Sequence, residues 1–310
     1  MFDHASKTFF HLLAQSGVLK TMASRYGMRK PTSFARRFIA GETVEEAVEA
    51  ARVVESRGLL HTLDFLGEGV NTLEDAEAAS RGYLRVIDAI VAAGIGRNLS
   101  LKLSQLGLTL DRAVATDNLR RVLDRAEGFF VRIDMENSPY TSATLQVFET
   151  LWQQGYRHIG VVLQSDLRRT AEDVERMITL GARVRLVKGA YRESAKIAFP
   201  RKSDVDAAYR RLLERLLVAG HYPALATHDL VMIDHARQFA LANGIASSAF
   251  EFQMLYGIRR DLQASLTADG YHVRVYIPFG RQWFPYFMRR LGEHPANVGF
   301  VLRGISREER

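Results

Sequence analysis

The sequence contains no cysteine, which excludes disulfide bonds, a thiolate nucleophile and any cysteine-ligated metal. Its apolar runs reach about ten residues at most, against the roughly 18 to 20 that a bilayer-spanning helix requires, so no transmembrane segment is expected. The opening MFDHASKTFFHLLAQSG lacks a basic start, a long apolar stretch and a small-residue cleavage site, and reads as part of the mature chain. A cytoplasmic protein is expected. The nine histidines form neither H-x-H nor H-E-x-x-H, leaving a zinc site unsupported. Of the dinucleotide fingerprint only the fragment Gly67-Glu-Gly69 is present, and there is no G-x-S-x-G elbow. A Rossmann nucleotide site and a hydrolase nucleophile therefore lack their signatures. Internal repeats, low-complexity tracts and Pro-, Gly- or Ser-rich linkers are also missing.

What is present points to one large globular unit. Hydrophobic residues make up 47% of the chain and charged residues 25%, enough for a substantial core and incompatible with disorder. The formal charge of +7 is spread among acids rather than gathered in a block, which favours ordinary solubility over a nucleic-acid or membrane-binding surface. From Thr43 onward, strand-length apolar runs alternate with amphipathic helix-length stretches about eight times, the pattern of a parallel sheet covered by helices. The strand candidates are Leu59–Leu66, Leu99–Gln105, Phe129–Glu136, His158–Gln164, Val184–Lys188, Ala224–His228, Ala249–Met254 and His272–Pro278. Eight units favour a closed (βα)8, TIM-like α/β barrel over an open sheet. Thr43 with Glu46, and Ser203 with Asp206, have capping-box spacing. Gly58, Gly94, Gly155, Gly181 and Gly220 stand where a left-handed residue would close a helix. The expected organisation is a helical arm over residues 1–42, a barrel over 43–300 and a tail over 301–310.

Strands buried on both faces should read as continuous apolar runs, but several here do not. Leu99, Leu101 and Leu103 alternate with Ser100, Lys102 and Ser104, and Val131, Ile133 and Met135 alternate with Arg132, Asp134 and Glu136. With the apolar faces against the outer helices, Asp64, Lys102, Arg132, Asp134, Gln164, Arg185, Gln253 and Tyr276 are left for the barrel interior. Unpaired charges there would cost several kcal/mol each. They must pair with one another, as a structural network, or with something bound; a ligand is the better explanation. After the last strand comes a short helix on which Tyr286, Arg289, Arg290 and Glu293 share one side. Two adjacent guanidiniums can clamp a small carboxylate while Glu293 steadies one of them, although a solvated helix end with an Arg–Glu pair has the same spacing.

Eight segments occur in the order in which proline dehydrogenases carry them. They are Thr62-Leu-Asp-Phe-Leu-Gly-Glu68, Lys102-Leu-Ser-Gln-Leu-Gly107, Arg132-Ile-Asp-Met-Glu136, Arg185-Leu-Val-Lys-Gly-Ala-Tyr191, Ala226-Thr-His-Asp229, Glu251-Phe-Gln-Met-Leu-Tyr-Gly257, Arg274-Val-Tyr-Ile-Pro-Phe-Gly280 and Tyr286-Phe-Met-Arg-Arg290. The chain thus resembles that family from about Asp64 to Asn297. The run R-L-V-K-G-A-Y and the paired arginines are the most specific pieces. The resemblance implies FAD held noncovalently at the C-terminal strand ends by Met135, Gln164, Arg185, Val187, Lys188, Gly189, Ala190, Thr227 and His228. It implies that Arg289 and Arg290 hold the carboxylate of L-proline, that Lys102, Asp134, Leu255, Tyr276 and Tyr286 line the pocket, that Tyr191 helps to close it and that Glu293 pairs with a clamp arginine. Asp134 and Arg185 are the expected catalytic pair. The implied reaction is hydride transfer from proline C5 to flavin N5, giving Δ1-pyrroline-5-carboxylate, with a membrane quinone as electron acceptor. The connection from Tyr276 to Tyr286 is shorter than in the family's bifunctional members. The sequence has no room for their aldehyde dehydrogenase domain, so a separate pyrroline-5-carboxylate dehydrogenase is the expected partner, and contact with the inner face of the membrane would follow from the quinone.

Two other readings remain at this level. A methylenetetrahydrofolate reductase is also a flavin barrel, but the adjacent arginines favour a small acid over a folate. A basic barrel binding nucleic acid would show salt-sensitive binding and no chromophore.

Overall fold

The computed structural model describes Met28, residues 33–67 and residues 69–293, apart from the side chains of Phe34 and of residues 291–293. Eight parallel strands pair in sequence order and close on themselves, confirming the (βα)8 barrel. They are β1 (Leu60–Phe65), β2 (Asn98–Leu101), β3 (Phe130–Ile133), β4 (Ile159–Gln164), β5 (Arg183–Val187), β6 (Ala224–Ala226), β7 (Glu251–Leu255) and β8 (His272–Phe279). The helices are α1 (Val44–Glu55), α2 (Leu73–Ala93), α3 (Arg112–Arg125), α4 (Ser138–Gln153), α5 (Thr170–Leu180), α6 (Lys202–Ala219), α7 (Leu230–Ala242), α8 (Arg260–Ala268) and α9 (Phe284–Glu293). Among the described residues, no helix is long and apolar enough to cross a membrane. Of the predicted arm only Met28 and residues 33–42 are described, and the predicted tail lies outside the described residues.

Several predicted boundaries need correction. β2 and β3 end at Leu101 and Ile133 rather than at Gln105 and Glu136, and β6 ends at Ala226 rather than at His228. Beyond the rim the ladder gives way to side-chain partners: the backbone N–H of Ser104 donates to the Glu136 carboxylate at 3.0 Å. Ala249 belongs to a 3-10 turn, Ser247–Ala249, ahead of β7. Thr43 and Glu46 do form the capping box of α1. Ser203 and Asp206 do not, because α6 already begins at Lys202 after Arg201, and Asp206 instead receives Lys188 and Lys202. Gly94 and Gly181 close α2 and α5 at φ +67° and +69°, where a side chain would be strained. Gly220 ends α6 in an extended conformation, so its predicted left-handed role is wrong.

The outward faces, Leu99, Leu101, Val131, Ile133, Leu186 and Ile277 among them, are buried in one apolar layer beneath the helices. α1 packs against β1, β8 and α2, taking the place on the barrel wall that a helix following β8 would otherwise fill. α9 instead joins a second apolar cluster in which Trp283, Phe284, Phe287 and Met288 pack with Phe38, Ile39 and Leu66, against the interior residue Tyr276. This sets α9 across the C-terminal mouth. Its seat is fastened by Trp283 Nε1, which donates to Glu42 Oε1 at 3.0 Å, and by the N–H of Gly280, which donates to Gly41 O at 2.9 Å.

Inside the barrel, Gly160 of β4 makes room for a neighbour's guanidinium. A Cβ there would lie 2.5 Å from Arg183 O and 2.7 Å from Arg132 Nη1. Gly160→Ala is therefore expected to lower stability by about 1–3 kcal/mol through overpacking, seen as a lower urea midpoint. An unchanged midpoint would mean that the interior can yield there.

Candidate active site

The alternation of side chains along each strand decides which groups face inward, and the strand ends decide how high they stand. Lys102 and Asp134 each follow the last residue of their strand, while Asp64, Arg185 and Tyr276 lie within β1, β5 and β8. These five meet at the mouth. Lys102 Nζ is 3.0 and 3.1 Å from the two oxygens of Asp64 and 3.6 Å from Asp134 Oδ2. Arg185 Nη1 donates to Asp134 Oδ1 at 2.7 Å, and its Nη2 donates to Ser100 Oγ at 3.0 Å. The Tyr276 hydroxyl donates to Asp134 Oδ2 at 2.7 Å and accepts from Lys102 Nζ at 3.3 Å, with the Arg185 guanidinium 5.3 Å above its ring. Two acids and two bases thus leave the cluster without net charge, which is the condition for burying it.

Burial is the largest influence on Asp64, Lys102 and Tyr276. It raises the Asp64 carboxyl above the usual carboxylate range; Asp134 adds to this, and Lys102 only partly reverses it. For Lys102 burial works against the charge, but Asp64 and Asp134 more than compensate and hold the ammonium above the ordinary lysine value. Burial, then Asp134 and Asp64, push the Tyr276 phenol far up, so it keeps its proton for Asp134. Tyr191 is also raised, by burial and then by Glu136, while Arg289 pulls it back. That places Tyr191 within electrostatic reach of both the β3 exit and α9.

The residues predicted to hold a cofactor lie together along the C-terminal ends of β3 to β6. Met135 and Thr227 are buried, Val187 and Lys188 half-buried, and Ala190 exposed. Gln164 Nε2 donates to Glu136 O at 3.0 Å. Lys188 Nζ donates to Asp206 at 2.5 Å and Asp229 at 2.7 Å. His228 Nε2 accepts from the N–H of Leu255 at 3.0 Å, which in a neutral ring leaves the proton on Nδ1. Gly189 adopts φ +121°, and a Cβ there would run into the Asp166 carboxylate. On α9, Tyr286 is buried with the Arg290 guanidinium 5.2 Å from its ring centroid, and Arg289 is half-buried. The predicted pairing of Glu293 falls on a side chain outside the described ones.

Three predicted interior residues do not join the mouth cluster: Gln164 bonds the β3 exit instead, and Arg132 and Gln253 lie elsewhere. Successive inward positions are about 6–7 Å apart along a strand, so Arg132 lies a layer below Asp134 and donates to the carbonyls of Val161 and Arg183 at 3.1 and 2.6 Å. Gln253 bonds Glu251, whose carboxylate takes a two-pronged contact from Arg274 at 2.8 and 2.9 Å. The interior is thus two polar layers, not one convergent set. Sequence reading passed over Ser100, Glu136, Asp206 and Asp229 as partners. Only the alternation on β2 and β3 hinted at the first two, and no local signal marked the acids that hold Lys188.

Three comparisons bear on this geometry. The model of the proline dehydrogenase family matches residues 47–303. A protein named proline dehydrogenase 2, from Bacillus subtilis (strain 168), is 41% identical over 305 residues, covering 98% of this chain and 99% of its own length. The proline dehydrogenase of Deinococcus radiodurans is 44% identical over 283 residues, covering 89% and 91% respectively. Among solved structures, proline utilization A (PutA) from Bdellovibrio bacteriovorus, inactivated by N-propargylglycine, superposes with a TM-score of 0.78 at 27% identity over 83% of this chain. This chain spans 32% of that larger protein.

Removing one member of a buried charge-balanced set strands its partners. Lys102→Met is expected to destabilise the fold by about 3–5 kcal/mol, measured by chemical denaturation. A loss below about 1 kcal/mol, the ordinary worth of an exposed pair, would show the cluster to be hydrated.

Proposed function

This chain belongs to the proline dehydrogenase family and so catalyses the first step of proline catabolism, and we propose that it oxidises L-proline to Δ1-pyrroline-5-carboxylate with FAD as its bound cofactor. The observation that carries this reading is the cluster of Asp64, Lys102, Asp134 and Arg185, in which two acids and two bases balance one another at the mouth. A small acid can therefore enter with its carboxylate toward Arg289 and Arg290 without opposing a net negative charge from that cluster.

The residues present fit a flavin. Arg185 Nε is buried and has no hydrogen-bond partner among the described residues, leaving a donor for a bound acceptor. Gly189 holds φ +121°, a conformation in which a side chain would be strained and would meet Asp166, and the ends of β4 to β6 bring Gln164, Val187, Thr227 and His228 to the same rim. Lys188 meets the cofactor with its ammonium already held by two carboxylates. Bound there, FAD supplies the two-electron sink that accepts the hydride leaving proline C5 as the ring C=N bond forms.

The chain's own part is mainly placement. Arg289 and Arg290 hold the carboxylate, Lys102, Leu255, Tyr276 and Tyr286 border the ring, and Tyr191 closes over it. Fixing a reactant in this way can remove about 7–11 kcal/mol of a barrier. Both oxygens of Asp134 are engaged, so its role is to set Arg185 and Tyr276, and Arg185 stabilises negative charge as electrons arrive. We propose that electrons leave for a membrane quinone and that the product passes to a separate pyrroline-5-carboxylate dehydrogenase.

The purified protein is expected to be yellow, and anaerobic L-proline to bleach the flavin band while NADH does not; a colourless protein that FAD cannot reconstitute contradicts the assignment. Arg289→Met should raise KM for proline roughly 10- to 100-fold, the worth of a charged hydrogen bond, with near-normal flavin content. Loss of flavin instead would place Arg289 elsewhere. Arg185→Ala should slow flavin reduction and shift its potential; if stopped-flow absorbance and potentiometry show neither, Arg185 does not adjoin the ring.

A further inference from the structure

The loop that carries Tyr191 is fastened by a carboxylate outside the cluster described above. The first N–H groups of a helix have no acceptor within the helix, and α4 starts without the usual local remedy, because Asn137 at its N-cap makes no side-chain hydrogen bond. Glu193, 55 residues further on, takes that place: its Oε1 accepts from the backbone N–H of Ser138 at 2.7 Å and its Oε2 from the Ser138 hydroxyl at 2.5 Å. Asparagine is among the best N-cap residues, so the helix had a local solution. What the distant cap adds is a tie between the β5–α6 loop and the segment leaving β3, which bears Asp134 and Glu136.

The far half of the same loop is held separately. The N–H of Phe199 donates to Asp166 O at 2.8 Å, and the N–H of Arg168 donates to Ile197 O at 2.9 Å. Between that anchor and the end of β5 at Val187, Glu193 holds the near half, two residues from Tyr191. Glu136 and Arg289 both act electrostatically on the Tyr191 phenol, so a shift of this stretch changes its relation to both.

We propose that Glu193 is a positioning residue: by capping α4 from the β5–α6 loop it sets where Tyr191 stands over the substrate pocket. This rests on the functional reading above. The test uses the holoenzyme, with kcat, KM for L-proline and flavin content measured for each variant. Glu193→Ala should raise KM about tenfold, as expected for losing charge-assisted hydrogen bonds, with flavin content unchanged. Glu193→Gln, which can keep both contacts with the Ser138 hydroxyl now accepting, should bring KM back to within about threefold of wild type, because neutral hydrogen bonds are roughly half as strong as charge-assisted ones. In a Tyr191→Ala background, Glu193→Ala should add almost nothing, since groups acting through one another are not additive. An unchanged KM in Glu193→Ala, or its full effect on top of Tyr191→Ala, overturns the proposal. Should Glu193→Ala not yield folded holoenzyme, Ser138→Ala, which removes the hydroxyl contact alone, replaces it in the same cycle with a rise of about threefold. Wild-type protein that does not turn over proline overturns the functional reading; turnover with flat variants overturns this inference only.

Discussion

The molecule depends on charge neutrality in a place where water is scarce. Barrel interiors of this architecture are normally filled by layers of branched aliphatic side chains, whereas here Asp64, Ser100, Lys102, Arg132, Asp134, Gln164, Arg185, Glu251 and Gln253 occupy them, all buried except for half-buried Lys102. Such an interior is tolerable only if each charge meets its opposite or has hydrogen-bond acceptors to hold it. At the mouth that condition is met by Lys102 between two carboxylates and by Arg185 against Asp134. Buried ion pairs add little to stability over apolar packing, so their presence is better explained by what they do at the open end. They fix a donor-rich, charge-balanced floor.

The rest of the architecture serves that floor. Because α1 covers the wall between β8 and β1, α9 is released from that duty and lies across the mouth. Its apolar side is absorbed by the segment around Phe38 and Ile39, and Trp283 and Glu42 join the two by a hydrogen bond. α9 is thereby packed against the ends of β1 and β8, at Leu66 and Tyr276, far from the first of these in sequence. The β5–α6 loop is held on both sides, by Glu193 on α4 and by Asp166 and Arg168 on the β4–α5 connection. The site is thus enclosed by elements that each have a specific anchor.

The lower layer has a different character. Arg274 and Glu251 make a two-pronged pair, and Arg132 spends its hydrogen bonds on backbone carbonyls beneath the mouth cluster, in space that Gly160 leaves open. These contacts tie β3 to β4 and β5 and, separately, β7 to β8.

The chain determined by itself the features that depend on short-range order. Eight alternations of strand and helix, the capping box at Thr43 and Glu46, and the two-residue period that turned Lys102, Asp134 and Arg185 inward were all legible, because periodicity and local hydrogen bonding are written in neighbouring residues. The segments resembling proline dehydrogenases named the family for the same reason. Tertiary structure alone decided that Arg132 and Gln253 belong to a lower layer, that Asp206 and Asp229 hold Lys188 instead of one of them capping α6, and that a glutamate caps α4 from 55 residues away. Each depends on the height and spacing of strands that pair only after the barrel closes, and no pattern within a single strand carries that information.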